Sequence, residues 1–357
     1  MGAYTTIDDP SAYFQTALYS GNGGSNAITF DGNSDMQPDW VWIKCRANAS
    51  TNHYVWDSSR GVHKYLSPSQ DAAEGDDSAS LTAFGSDGFT MGDGGAEMNH
   101  SDGRNYVGWG WKANGGTRVT NTESGNNPAG GYQVNTTSGF SIVDYTGTGG
   151  AGTMAHGLGA IPEMIIVKER PNAQSWYVYH HTLGNNTELY LNNPDASASP
   201  AKWNSTTPTS SVFSLAANNS VNQDATNYIA YCFKGIRGYS KFGSYKGNGA
   251  TDGTFTYTGF KVGWLLVKNA STGSKYWHMW DTKRSAYNVS DRALYPNAGD
   301  LEDTGVNMDL LSNGFKTRIS SGSSLLGVMN TDGDTYIYAA FADNPFVSSE
   351  GVPCTAR

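Results

Sequence analysis

Three short apolar runs, each ended by a lysine, punctuate the chain: Pro38-Asp39-Trp40-Val41-Trp42-Ile43-Lys44, Pro162-Glu163-Met164-Ile165-Ile166-Val167-Lys168 and Val262-Gly263-Trp264-Leu265-Leu266-Val267-Lys268. Nothing within the apolar stretch of each run alternates with polar residues, which predicts a strand buried on both faces. Three copies predict one structural unit used three times, each run marking the core of its unit. On this reading Lys44, Lys168 and Lys268 are charges at the strand exits, on the rim.

The flanking patterns repeat as well. Each unit opens on a strand and a glycine turn: Leu18-Tyr19-Ser20-Gly21-Asn22-Gly23, Asp144-Tyr145-Thr146-Gly147-Thr148-Gly149 and Ser244-Tyr245-Lys246-Gly247-Asn248-Gly249. Each closes on an aromatic strand, at Asn105–Lys112, Asn227–Lys234 and Thr335–Phe341. The expected layout is an N-terminal arm over 1–16, units over 17–116, 139–237 and 238–346, and a tail over 347–357. Residues 117–138, rich in Gly, Asn and Thr, are expected to be a linker. In the arm, Asp9 is placed to cap a short helix with Pro10 at its first position.

Composition narrows the fold class. Only 15% of the 357 residues are charged, 12% are aromatic and 44 are Gly, and no window sustains a 3.6-residue apolar period. Short strands joined by polar turns are expected, with little helix: an all-β chain of tandem antiparallel β-sandwich repeats, the jelly-roll variant remaining open.

A net charge of −9 argues against nucleic acid and against anionic membrane surfaces as partners. No apolar run approaches the ~18 residues of a membrane span, and residues 1–9 carry no Sec-type export signal. Cys45, Cys232 and Cys354 are too few and too widely spaced for a zinc site or a disulfide framework, so reduced thiols are expected. Cys45 and Cys232 read as core residues.

In order along the chain, Gly139-Phe140-Ser141-Ile142-Val143-Asp144-Tyr145-Thr146-Gly147, His156-Gly157-Leu158-Gly159 and the run at Pro162 resemble a repeat common in bacteriophage tail-fibre and related virion proteins. So do Gly238–Tyr245, Asp281-Thr282-Lys283-Arg284 and Ala340-Phe341-Ala342-Asp343-Asn344-Pro345-Phe346. The resemblance spans about Asp9 to Arg357, and the units look similar to the concanavalin-A/laminin-G-like sandwiches of lectins. It implies a non-enzymatic virion appendage protein, assembled in the host cytoplasm and extracellular in the mature particle. Its implied partners are other virion proteins, two further copies in a homotrimer, and host surface glycan. No coiled coil or triple-β-helix shaft is evident, so a capsid-decoration or tail-adaptor role stays open, with a glycan depolymerase behind it.

The candidate site residues follow from side-chain chemistry. Trp176, Trp203, Trp277 and Trp280 lie nearer loops than Trp40, Trp42, Trp109 and Trp111, and an exposed indole can stack on a sugar ring. Asp57 with Arg60, and Asp281 with Arg284, occupy equivalent positions and read as turn-closing pairs. The second unit breaks that pattern with His180 and Leu183. His180-His181 has no third metal ligand nearby, and His156 reads as a turn residue. Calcium would take oxygens such as those of Asp76-Asp77 or Asp332-Gly333-Asp334, but no complete calcium loop is signalled, so no cofactor is expected. Neither a nucleophile elbow, a Walker loop nor an HExxH motif is present.

Overall fold

The structure is a computed structural model, and it describes residues 4–93, 97–122, 124–199, 202–318 and 326–354. Unit 1 holds β1 (Phe14–Ser20), β2 (Asn26–Thr29), β3 (Trp40–Cys45), β4 (His53–Asp57), β5 (Lys64–Tyr65), β6 (Gly75–Asp76), β7 (Leu81–Gly85), β8 (Gly88–Met91) and β9 (Asn105–Trp111). β10 (Val119–Asn121) and β11 (Ala129–Asn135) follow. Unit 2 holds β12 (Phe140–Thr146), β13 (Gly152–Ala155), β14 (Met164–Glu169), β15 (Tyr177–His180), β16 (Leu189–Tyr190), β17 (Val212–Leu215) and β18 (Asn227–Phe233). Unit 3 holds β19 (Ser240–Lys246), β20 (Asp252–Tyr257), β21 (Phe260–Asn269), β22 (His278–Asp281), β23 (Asn307–Leu311), β24 (Gly314–Arg318) and β25 (Thr335–Pro345). Among the described residues helix is confined to single turns at Pro10–Ala12, Asn219–Asn222 and Leu326–Met329.

The chain is all-β and antiparallel. In each unit the opening strand pairs with the closing strand, the apolar run lies next, and the following strand completes the order: β1-β9-β3-β4, β12-β18-β14-β15 and β19-β25-β21-β22. A smaller sheet covers the outer face: β2-β8-β7, β13-β17 or β20-β24-β23.

The period-2 geometry of a strand explains why the runs are apolar throughout. Val41 and Ile43 point into the sandwich of unit 1, against Phe89 and Met91. Trp40 and Trp42 point the other way, into a core that all three units share. There they meet Met164 and Ile166 of unit 2, and Trp264 and Leu266 of unit 3. Packing at this centre leaves a gap of only about 10 Å³, lined by the same six residues and their neighbours. The three sandwiches are therefore not beads on a string. They are three faces of one hydrophobic body.

The lysines that end the runs are not on the rim. Lys44, Lys168 and Lys268 are fully buried. Lys44 Nζ donates to the carbonyls of Cys45 and Thr51, Lys168 Nζ to Glu169 and Asn172, and Lys268 Nζ to Pro194 and Lys275. Each ammonium ties the end of its run to neighbouring backbone carbonyls, a role that a strand-exit reading overlooks. Burial pulls the three amines down to about 8, 8 and 7.

Residues 117–138 are not a plain linker either. β11 pairs with β12 along its whole length and β10 pairs with β11, which widens the unit 2 sheet to seven strands. Gly130 and Gly131 carry this: a Cβ on either would collide with the neighbouring strand's carbonyl, of Asp144 or of Val119. A composition that looks too polar for a core is here the condition for close strand approach. The arm docks where units 1 and 3 meet. Asp9 caps the turn at Pro10–Ala12, Ile7 enters the shared core, and Asp8 accepts from Ser349 of the tail.

Candidate functional site

The seams between units hold two networks of buried charge, and they close a ring. At the seam from unit 1 to unit 2, Asp57 accepts from Arg60 Nε at 2.5 Å and from the Tyr231 hydroxyl at 2.7 Å. Glu74 bridges Arg60 at 3.2 Å and Arg170, which it holds through two bonds of 2.8 Å. The seam from unit 3 to unit 1 repeats this. Asp281 accepts from Arg284 Nε at 2.6 Å and from Trp109 Nε1 at 3.0 Å. Glu302 bonds Arg284 at 3.3 Å and Arg46 at 2.8 and 3.0 Å.

The remaining seam, from unit 2 to unit 3, has the same backbone and none of the charges. Ser197 N donates to the Ala270 carbonyl, as Glu74 N does to Arg170 and Glu302 N to Arg46. Ser197 thus stands for the glutamate and Ala270 for the second arginine. His180 and Leu183 stand for the turn pair, and Ala339 for the donor that Tyr231 or Trp109 supplies. All five positions change together. A buried carboxylate is kept where a neighbour donates to it and is lost where that neighbour is alanine. Burial, aided by the neighbouring His181, pushes the His180 imidazole down to about 3, so His180 adds no charge where the other seams carry an aspartate.

Asp57 and Asp281 are closed off by these contacts, with no more than 1% exposure. They hold the units together and offer nothing to a substrate. Burial opposes the charge of Glu302, but Arg46, Arg284 and Arg292 hold its carboxyl down at about 2. A carboxyl with a depressed native pKa stabilises the fold above its unfolded value and loses that stabilisation as pH falls through the native one. Acid should therefore cost this seam about 3 kcal/mol between pH ~4.5 and ~2. Urea midpoints measured across that window should fall steeply for the native chain and less steeply for Glu302→Gln.

The four tryptophans expected to meet glycan are buried, with 0–1% exposure. Trp176 Nε1 donates to the Ser67 carbonyl of unit 1 at 2.9 Å, and Trp277 Nε1 to the Tyr190 carbonyl of unit 2 at 2.8 Å. Both are seam residues. Trp203 and Trp280 donate within their own units, to Thr187 and Val306. No ring face is free for a sugar, because each indole N–H is drawn inward to a buried carbonyl. The exposed aromatic rings are instead Tyr287, at 82%, with Tyr257, Phe255 and Tyr276 at 41–47%. All belong to unit 3, and no periodic signal marks them.

The histidines and acidic loops have local explanations. His156 Nδ1 accepts from Leu158 N, and Nε2 faces the Thr209 carbonyl. His180 is buried, whereas His181 is part exposed and reaches the Phe242 carbonyl at 3.0 Å. Asp334 braces Asn269 and Thr272, Asp76 pairs with Lys64, and Asp77 caps Ala79. Among the described residues no three His, Cys, Asp or Glu side chains come together as a metal site.

A polar concavity lies between units 1 and 3. This cleft of about 230 Å³ is lined by Asp9, Gln15, Thr16, Asp31, Thr282, Lys283 and Asp343, among others. Lys283 spans it to Asp31 at 2.6 Å. Lys283 pairs with Asp31, and Asp343 pairs with Lys261 just outside the lining at 3.0 Å, so with Asp9 the cleft is polar and mildly acidic, suited to amide, hydroxyl or cationic groups. Sequence reasoning missed it because its walls come from opposite ends of the chain.

The chain belongs to the DUF7483 family, a domain of unknown function, whose family model matches residues 9–345. No curated protein matches the chain, and no solved structure does.

Proposed function

Starting from a family without an assigned function, we propose that this protein is a structural component of a bacteriophage particle: a tail fibre or comparable appendage that contacts host surface glycan and carries no enzymatic activity. The reading rests on the repeat resemblance over nearly the whole chain. One structural observation supports it. Asp57, Glu74, Asp281 and Glu302 are spent on holding three sandwiches as one body, leaving loops to do the recognition. The exposed tyrosines of unit 3 are the side chains best placed for a glycan, Tyr287 first among them, because an exposed ring offers an apolar face beside a hydroxyl. Other virion proteins are the expected partners. A homotrimer would multiply weak sugar contacts into avidity, and light scattering on the full chain would count its copies.

Imaging the particle with a gold-labelled antibody to the full chain tests the proposal. Label should fall on the tail appendage. The purified chain should bind host cells saturably, extracted surface polysaccharide should compete, and Tyr287→Ala should weaken binding about tenfold. Label on the capsid with no cell binding would replace this reading with capsid decoration. A fall in polysaccharide size on incubation would replace it with a depolymerase.

A further inference from the structure

We propose that the outer edge of β1 is a docking site for an extended segment of another protein chain, which pairs with β1 and sends a side chain into the cleft between units 1 and 3. The proposal does not depend on the virion reading.

Three positions in the fold are equivalent. β1, β12 and β19 are the opening strands, each pairing on one side with its closing strand. In β1 the odd-numbered residues face β9: the Tyr13 carbonyl accepts from Lys112, and Gly21 N donates to Arg104. The backbone groups of Phe14, Thr16, Leu18 and Ser20 therefore point outward. The register places Thr16 where unit 2 has Ile142 and unit 3 has Phe242.

Two of these three positions are occupied. Beside Ile142 lies Gln133 of β11, in a ladder that runs the length of β12. The Gln133 side chain enters the seam, donates to the hydroxyls of Ser58 and Ser59, and accepts from Asn114 N and Gly116 N. Beside Phe242, His181 of unit 2 takes the outward carbonyl at 3.0 Å. Beside Thr16 nothing described hydrogen-bonds the outward N–H and carbonyl, nor those of Leu18. The cleft lies here, and its walls match the Gln133 slot. Thr282 and Lys283 stand where Ser58 and Ser59 do, and Asp343 and Asn344 where Ala113 and Asn114 do. Gly263 replaces Asp39, whose carboxylate fills the equivalent space in unit 1.

Two further features point to use. β19, the other edge without a neighbouring strand, carries Lys241 and Lys246, the charges that guard an edge against pairing. β1, Phe-Gln-Thr-Ala-Leu-Tyr-Ser, has no charge and no proline, and Leu18 is 43% exposed. The occupant is defined by the internal example and the charge of the cleft: an extended stretch with small residues along the edge, as in Ala129-Gly130-Gly131, and an amide or cationic side chain opposite Thr16.

The test uses the full chain and a synthetic peptide of residues 128–136, Pro-Ala-Gly-Gly-Tyr-Gln-Val-Asn-Thr. At millimolar peptide, amide exchange within β1 should slow about tenfold, with β19 unchanged. Leu18→Pro removes an outward N–H without touching the ladder to β9, so it should abolish the effect and leave the thermal midpoint in place. If that variant does not fold, Ser20→Pro serves in its stead. Unaltered exchange in β1 at saturating peptide solubility would overturn the proposal. So would concentration-dependent self-association that Leu18→Pro abolishes, which would give the edge to a second copy of this chain.

Discussion

Replacing Arg284 with methionine is expected to destabilise the protein by about 3–5 kcal/mol, the cost of leaving a buried charge without its partner. Arg284 is fully buried at its guanidinium and shared by Asp281 and Glu302. Without it Asp281 keeps only the Trp109 indole N–H and the backbone N–H of residue 284, and no positive partner. His180→Leu, at the seam from unit 2 to unit 3, removes bonds to Thr182 and to the Tyr338 carbonyl and should cost only about 1–2 kcal/mol. A third variant separates charge from shape. Carrying the uncharged set across, as Asp281→His, Arg284→Leu, Glu302→Ser and Arg46→Ala together, should cost less than Arg284→Met alone, because no charge is left stranded. Urea unfolding of the three variants ranks them. If the single arginine change proved mildest, the seams would owe their stability to something other than charge pairing.

Those seams show where sequence reasoning ends. The apolar runs were legible because burial on both faces leaves no alternation; the four-strand order was not, since it needs the strand pairing of the fold. What the second face packs against was not legible. Trp40 and Trp42 look the same whether they face a small sheet or two other units, since a hydrophobic surface does not name its partner. The same holds for Trp176 and Trp277, whose loop positions suggested exposure but whose N–H groups end on carbonyls of another unit. Asp57 and Arg60 could be paired by their spacing alone. Glu74, Arg170 and Tyr231 could not, being brought in by tertiary contact. Part of the signal is visible in the sequence, where His180 and Leu183 break the second unit's turn pair; that Ser197, Ala270 and Ala339 change with them shows only once the seam contacts align the units. The cleft beside β1 left no such mark. It exists because Gly263 stands where Asp39 does, and because no strand does for β1 what β11 does for β12.

A single unit expressed alone is expected not to fold, which is the sharpest difference between a shared core and three tandem domains. Freed from its neighbours, unit 3 would expose Phe242, Trp264, Leu266, Trp277, Met279, Ile337 and Phe341, all of which face the shared core. At about 1.5–3 kcal/mol for each side chain, that is roughly 10–20 kcal/mol of lost burial. A domain's whole stability is only about 5–15 kcal/mol. Residues 238–346 should therefore emerge aggregated or molten, with poor dispersion in an amide NMR spectrum, while the full chain unfolds in one cooperative step by fluorescence and circular dichroism alike. A well-dispersed, monomeric unit 3 would break the argument. The complementary variant keeps the ring and moves its opening. Asp8 already bonds Ser349, so the two ends lie side by side. A circular permutant that joins them and begins at Gly238, in the short connection between units 2 and 3, preserves every seam and should keep nearly all the native stability. The two outcomes together would locate the stability in closure of the ring rather than in any one sandwich.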